Sequence, residues 1–473
     1  MKTYAFPPGP RTLPFVGNTP TYRKDRLSYL TNLYHDYGRS ATFHLGPTPI
    51  VMLTRPSTIH QVLVEQISKF PKSDFIQNFA LFGGDTVKLR HAFTPKTKVA
   101  RCCGCGQEKS IFGTDGEVHD RQRMAMLEAF HGPAMERYRQ IMVNHTERML
   151  ERWQPGREIE LTSEVQRVAS SIIFETLFGI DVQDRSSDIA ESYRSVLKHT
   201  SLFGLFKSAS DDNKEKAWTG LMNLVDEIVE KAATRKIDGK STLLIDLILR
   251  STPAGRASET VRDQVSSFMG AGQVTVSGLL TWVITLLAKN RTALAKVADE
   301  VKAVLGGSAP GITDMTKLTY LDWTIKEALR LYPPAWLHGR RSAEDVDVED
   351  WHLPAGTFVL FSEWVTQRAE EYFSEPLRFI PERWAPKSPF VHTPDAYFPF
   401  GMGTRACLGT GFAVMEAKIV LSLMLQRFAP VVVDDRELEP TVYYSALRPR
   451  GTVTIRMESL SVQQHEDQMI AVS

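Results

Sequence analysis

Phe400-Gly401-Met402-Gly403-Thr404-Arg405-Ala406-Cys407-Leu408-Gly409 is the stretch that decides how this chain is read. A single cysteine stands in a glycine-punctuated loop, with an arginine two residues before it. From Gly411 onward, Phe412-Ala413-Val414-Met415-Glu416-Ala417-Lys418-Ile419-Val420-Leu421 carries helical periodicity. Cys407 is therefore expected at or near a helix N-terminus, where exposed N–H groups and the helix dipole lower a thiol pKa. Gly403 and Gly409 leave the backbone free to wrap the sulfur and point N–H groups at it. That pattern suits a thiolate metal ligand. A lone cysteine beside a turn is more often a buried structural residue, and residues elsewhere in the chain decide between the two.

The run resembles the haem-binding loop of the cytochrome P450 family, F-x-x-G-x-R-x-C-x-G. It holds every fixed position: Phe400, Gly403, Arg405, Cys407 and Gly409. The resemblance implies a mainly α fold with a small β-sheet subdomain. It also implies haem b (iron protoporphyrin IX) with Cys407 on iron, and a cysteine axial ligand favours O–O cleavage.

Other segments match the same family. Glu327 and Arg330 are three residues apart on a predicted helix Trp323–Leu331, so they share a face. Leu331-Tyr332-Pro333-Pro334 follows, and Phe379-Ile380-Pro381-Glu382-Arg383-Trp384 comes some fifty residues later. The resemblance implies that Glu327, Arg330 and Arg383 form a buried charge network behind the haem loop, since charge is tolerated inside only when paired. On that reading, removing Arg330 leaves Glu327 unpaired. His119 and Arg123, four apart, match the family's haem-carboxylate binders, as do Arg405 and Arg340, the latter preferred to Arg341. An arginine fork suits a carboxylate because it donates two parallel hydrogen bonds.

On the oxygen side, Phe268-Met269-Gly270-Ala271-Gly272-Gln273-Val274-Thr275-Val276-Ser277 resembles the family's distal helix. Small Ala271 and Gly272 are expected to admit dioxygen to the backbone and allow a local opening of the helix. Thr275 matches the threonine whose hydroxyl bonds iron-bound dioxygen and holds a water for proton delivery. The acid of the motif is replaced by Val274. Three accounts stay open: Thr275, water and Gln273 suffice; peroxide is the oxidant; or the chemistry is not an oxygenation. A degenerate haem-binding protein is the non-enzymatic alternative.

The chain has 473 residues, 42% apolar and 23% charged, with net charge +1, so nothing in its charge points to nucleic acid. Cys102, Cys103 and Cys105 crowd one loop and form no disulfide framework, which suggests a reducing compartment. No apolar run reaches the roughly 18–20 residues of a membrane span; Leu279 to Ala288 is the longest candidate. The expectation is a cytoplasmic, soluble protein without a transmembrane anchor, or a peripheral membrane protein if an anchor precedes this chain. Residues 1–473 read as one domain. It has a proline-rich hinge-like start over 1–20, an atypical insert over 86–109 and a disordered tail over 457–473. Phe79, Phe82, Phe203, Phe268, Trp336 and Tyr444 are expected to line an apolar substrate pocket. No dinucleotide fingerprint appears, so electrons are expected from a separate reductase or ferredoxin. The resemblance implies a monooxygenase that inserts one oxygen atom of O2 into a lipophilic small molecule.

Overall fold

The computed structural model describes residues 5–71, 110–186, 188–189, 192, 211–235, 241–252, 259–390, 392–433, 438–443 and 446–459. Among them the first helices are α1 (Thr19–Lys24), α2 (Arg26–Tyr37) and α3 (Pro56–His60). After the insert come α4 (Gly116–Met126), α5 (Pro133–Leu150), α6 (Leu161–Phe178), α7 (Asp211–Thr234) and α8 (Leu244–Ser251). The last are α9 (Glu259–Lys289), α10 (Arg291–Leu305), α11 (Thr319–Leu331), α12 (Glu363–Thr366) and α13 (Thr410–Leu425). Local chemistry sets several of these limits. The Glu160 carboxylate accepts from Ser163 N–H and caps α6, and Gly179 ends it in the left-handed conformation. Tyr332 closes α11, because the prolines at 333 and 334 cannot continue a helix.

A four-stranded sheet lies beside the helical body. Its order is β1 (Ser40–Leu45), β2 (Thr48–Leu53), β7 (Phe358–Phe361) and β4 (His338–Arg341). β1 and β2 form a hairpin that turns at Gly46-Pro47, with Gly46 at φ 59°. β2 runs parallel to β7, while β4 pairs antiparallel with it, setting Arg340 opposite Val359 and Arg341 opposite Phe358. Successive strand residues face opposite ways, so the neighbouring arginines part company. β5 (Val346–Val348) and β6 (Trp351–Leu353) make a small hairpin, and β9 (Pro440–Tyr443) pairs with β10 (Ala446–Pro449). A three-stranded sheet sets β11 (Thr454–Ser459) between β3 (Arg157–Glu160) and β8 (Phe428–Val432). Residues 457–459 thus belong to a paired strand, against the expectation of a frayed tail: Met457 is buried and pairs with Pro430.

The 31-residue α9 is the axis of the core, packed against α6, α11 and α13. It corrects the expectation that no segment reaches membrane-span length, since its length and hydropathy alone would allow a crossing. Two-thirds of its apolar window is nevertheless buried inside the protein, as in the core helix of a globular fold. The insert at 86–109 and the expected pocket residues Phe79, Phe82, Phe203 and Tyr444 lie outside the described residues.

Candidate functional site

The Cys407 loop is built from tight turns. Gly401 N–H donates to Phe398 O at 2.9 Å, Ala406 N–H to Gly403 O at 3.0 Å and Cys407 N–H to Phe400 O at 2.8 Å. Gly403 sits at φ 65°, and a Cβ there would lie 2.7 Å from the backbone oxygen of Leu63. Glycine is therefore required twice over, by conformation and by space. Gly409 differs from expectation: its φ of −87° suits any residue, and a Cβ would make only ordinary contacts with Phe130 and the Cys407 sulfur. Its contribution is its N–H, which favours the thiolate of Cys407. Phe400 packs against the main core.

α13 begins at Thr410, three residues past Cys407, and the Thr410 hydroxyl donates to Cys407 O at 3.0 Å. The expected lowering of the thiol pKa is not the net result. Cys407 is accessible, yet the surrounding protein pushes the thiol up by desolvation, and the Gly409 N–H, Thr410 and the Arg123 charge only partly oppose this. A bound metal ion reverses such a balance, because a coordinating thiol is deprotonated outright.

Cationic side chains gather around the loop. Arg123, on α4, donates to Ala406 O at 2.8 Å and so ties its helix to the residue before the cysteine. Arg405 pairs with Asp115 at 3.1 Å and lies 3.9 Å from Asp120. Its Nε and Nη1 are buried without a hydrogen-bond partner among the described residues. Arg340 is 8% exposed and donates from Nη1 to Gly339 O, while its Nε likewise has no partner among them. Burial pulls the Arg340 pKa down to about 10, and the like charge of Arg405 adds to this. Arg341, on the other face of β4, donates to Gly356 O and stacks over Phe358. His119 is buried and bonded to Asp120 at 2.8 Å.

Buried N–H groups of a cation call for acceptors. Arg340 and Arg405 present three such atoms, Arg405 standing two residues before Cys407 and Arg340 near enough to Arg405 to feel its charge, and this donor set fits an iron porphyrin, whose carboxylates supply acceptors and whose metal takes the sulfur.

Behind the loop, Glu327, Arg330 and Arg383 are all fully buried. Arg330 grips Glu327 with Nε at 2.9 Å and Nη2 at 2.8 Å, and Arg383 Nε approaches at 3.3 Å. Trp384 Nε1 and Ile380 N–H each donate to the same carboxylate at 3.1 Å. The cluster holds one anion and two cations. The surplus positive charge meets peptide oxygens: Arg330 donates to those of Gln367, Pro376 and Arg378, and Arg383 to those of Ser374 and Glu375. Removing Arg330 would not leave Glu327 unpaired, because Arg383 remains, and this corrects the expectation.

On α9, Ala271, Val274 and Thr275 share one face and are only partly buried, whereas Gln273 and Val276 are buried. One expectation is not met: the helix runs unbroken from Glu259 to Lys289, with no local opening. Gly272 also allows close packing, since a Cβ would meet the end of Ile173 of α6 at 2.3 Å. The Thr275 hydroxyl donates to Ala271 O at 2.7 Å, leaving its lone pairs as acceptors. Gln273 is fully buried, and neither end of its amide has a partner among the described residues.

Two expected pocket residues are core residues. Phe268 is packed between Phe112 and Phe130, at centroid distances of 6.0 and 6.1 Å. Trp336 is 2% exposed in the core between the sheet and the N-terminal helices. Aromatic residue type alone does not separate pocket from core. Sequence reasoning also missed Asp115, Gln367, Trp384 and Glu416. Glu416 is a fully buried carboxyl with no partner among the described residues, its pKa pushed well up by desolvation.

A cysteine on a glycine-shaped loop, an arginine with unsatisfied buried N–H groups two residues before it, and a threonine on a long core helix together suit a haem-thiolate protein. Comparison with known proteins names the family. A cytochrome P450 model matches residues 7–89 and 86–453, and the chain belongs to that family. It is 28% identical to a pentalenene oxygenase of Streptomyces avermitilis, over 95% of this chain and 97% of that one. It is 27% identical to a cyclooctatin synthase of Streptomyces melanosporofaciens, over 91% of each chain. A cyclooctat-9-en-7-ol 5-monooxygenase of the same species is 26% identical, over 89% of this chain and 88% of that one. Among solved structures, a retinoic acid-bound cyanobacterial CYP120A1 superposes with a TM-score of 0.81 at 19% identity, covering 97% of this chain and all of the other. The fold is thus the mainly helical P450 fold with small sheets. The protein is a haem-thiolate monooxygenase that uses O2, a substrate and a redox partner.

Proposed function

We propose that this chain is a single cytoplasmic P450 domain that binds haem b through Cys407 and oxygenates an alicyclic alkene or alkenol, at the terpenoid end of the lipophilic range. The observation that carries the site assignment is the set of acceptor-seeking guanidinium atoms of Arg340 and Arg405 beside Cys407. The substrate class rests on the names of two Streptomyces relatives, one an oxygenase of pentalenene, a cyclic alkene, and one a monooxygenase of the alkenol cyclooctat-9-en-7-ol, and on near full-length coverage of each.

Haem, when bound, supplies dioxygen activation, one atom going to substrate and the other leaving as water. The chain's own residues do the rest. Cys407 ligates the metal as thiolate, assisted by the Gly409 N–H. Arg340 and Arg405 take the porphyrin carboxylates, with His119 and Arg123 as further carboxylate binders on α4, and Arg123 also ties that helix to the loop through Ala406 O. Ala271 and Val274 offer substrate an apolar wall, and Thr275 accepts a hydrogen bond from water through its free lone pairs. Electrons come from a separate reductase or ferredoxin.

Peroxide-driven turnover is the second reading, favoured by one observation: the Thr275 proton is committed to Ala271 O and the next residue toward the N-terminus is a valine. One experiment separates the readings. Purified protein is given a panel of cyclic alkenes and alkenols, and products are counted with a ferredoxin–reductase pair and with hydrogen peroxide. Product per electron is expected to exceed product per peroxide, and to rise in Val274→Asp, which returns an acid to the helix face. Turnover with peroxide alone would overturn the first reading.

A further inference from the structure

The Glu327 cluster does not itself touch the loop that carries Cys407. Among the described residues, the hydrogen bonds of Glu327, Arg330 and Arg383 end on one another and on residues 367–384. One fully buried side chain joins the two. Gln367, the residue that ends α12, donates from Nε2 to the carbonyls of Leu329 and Arg330, both at 3.0 Å. Its Oε1 accepts the N–H of Phe398 at 3.0 Å, and its own backbone oxygen accepts Arg330 Nη1 at 2.8 Å. Phe398 is the first turn of the ligand loop: its oxygen takes Gly401 N–H, and two residues on, Phe400 O takes Cys407 N–H.

We propose that Gln367 is a positioning residue for the metal ligand. Its amide oxygen pins the point where the chain enters the loop, and its amide nitrogen anchors that pin to the C-terminal end of α11. Loop entry and the charge cluster are thereby one rigid unit, and the sulfur stays at a fixed place relative to the helical core. The chemistry explains the residue type. The position needs two donors facing one way and an acceptor facing the other, on an uncharged chain of this length, and a carboxamide supplies both. A glutamate keeps the acceptor and loses the donors. A methionine fills the same volume and loses both.

The inference rests on Cys407 being the ligand, and the test separates the two. Haem-loaded wild type, Gln367→Met, Gln367→Glu and Val297→Ala, a core truncation in α10 away from the loop, are compared by the carbon monoxide difference spectrum of the reduced protein. Hydrogen–deuterium exchange over residues 398–407 is measured in parallel. The expected result for Gln367→Met is about a tenfold fall in the ratio of thiolate to neutral-ligand bands, the scale set by an orphaned buried N–H, with faster exchange at 398–407. Gln367→Glu, which keeps the acceptor for Phe398 N–H and loses the donors to Leu329 and Arg330, should fall less than Gln367→Met in both readouts. Val297→Ala should unfold earlier with the ratio unchanged. If Met and Glu variants fall alike, or the Met variant matches wild type in both readouts, the role is overturned. Should the Met variant retain no haem, the Glu variant decides: a persisting thiolate band supports the role and its loss refutes it. A wild-type protein without the thiolate band would refute the ligand assignment and the role together.

Discussion

Replacing Glu327 should damage this protein more than replacing Arg330, although the two form one ion pair. The reason is the charge count of the buried cluster. Arg330→Met keeps the volume filled and leaves Glu327 paired with Arg383, Trp384 and Ile380. What is lost is the two-point grip on Glu327 and the donors to three peptide oxygens. At about 1 kcal/mol for each orphaned carbonyl, the cost comes to ~3–4 kcal/mol. Glu327→Gln is isosteric, but it leaves two fully buried guanidinium groups with no anion. Breaking a single buried pair costs ~3–5 kcal/mol, so two unmatched cations should cost at least ~5 kcal/mol, comparable with the whole stability of many folds. The assay is the midpoint of chemical unfolding together with haem bound per chain, for both variants in one buffer. Arg330→Met should yield folded, partly haem-loaded protein, and Glu327→Gln little or none. If Arg330→Met proves equal or worse, then the peptide oxygens are not what offsets the second cation, and the charge-count reasoning fails.

Other outcomes follow from single residues. Glu416→Gln should stabilise the fold at pH 7.5 and matter little at pH 5. The carboxyl pKa is raised in the folded protein, so the native state holds that proton more tightly than the unfolded chain. That contribution is present in full below the ordinary carboxyl range near pH ~4.3 and is lost as pH rises toward the folded pKa; unfolding midpoints at the two pH values check it. Arg340→Gln should speed haem transfer to apomyoglobin several-fold, while Arg341→Gln, whose group is engaged by Gly356 and Phe358, should leave it unchanged. Gly403→Ala should cost ~1–3 kcal/mol for the left-handed backbone alone, with more from the 2.7 Å approach to Leu63 O, read as a lower unfolding midpoint and loss of the thiolate band.

Local, ordered signals in the sequence translated well. Cys407, Gly403 and Arg405 fall within one run, and Glu327 and Arg330 within one helical turn, so spacing alone puts them together. What stayed hidden depends on chain segments that meet only in space. Gln367 lies 31 residues before Phe398, and nothing around it marks its amide as shared. Asp115 reaches Arg405 across 290 positions. Phe268 and Trp336 were misplaced because burial against protein and burial against a ligand select the same side chains. Gly272 carries a similar ambiguity: a small residue on a helix suits close packing as well as close approach of a ligand. The direction of the Cys407 shift was missed because helix position can be read from sequence, whereas the depth of surrounding protein cannot.

The cluster behind the ligand loop is a cation solvated by peptide oxygens in place of water. Salt reaches such a charge poorly, because counterions screen exposed groups across about 8–10 Å and scarcely enter a dry interior. Encounter with a charged electron donor, by contrast, is an exposed and screened event. Ionic strength should therefore act as a selective dial for this protein, throttling electron traffic at the surface while the metal ligand keeps its seat.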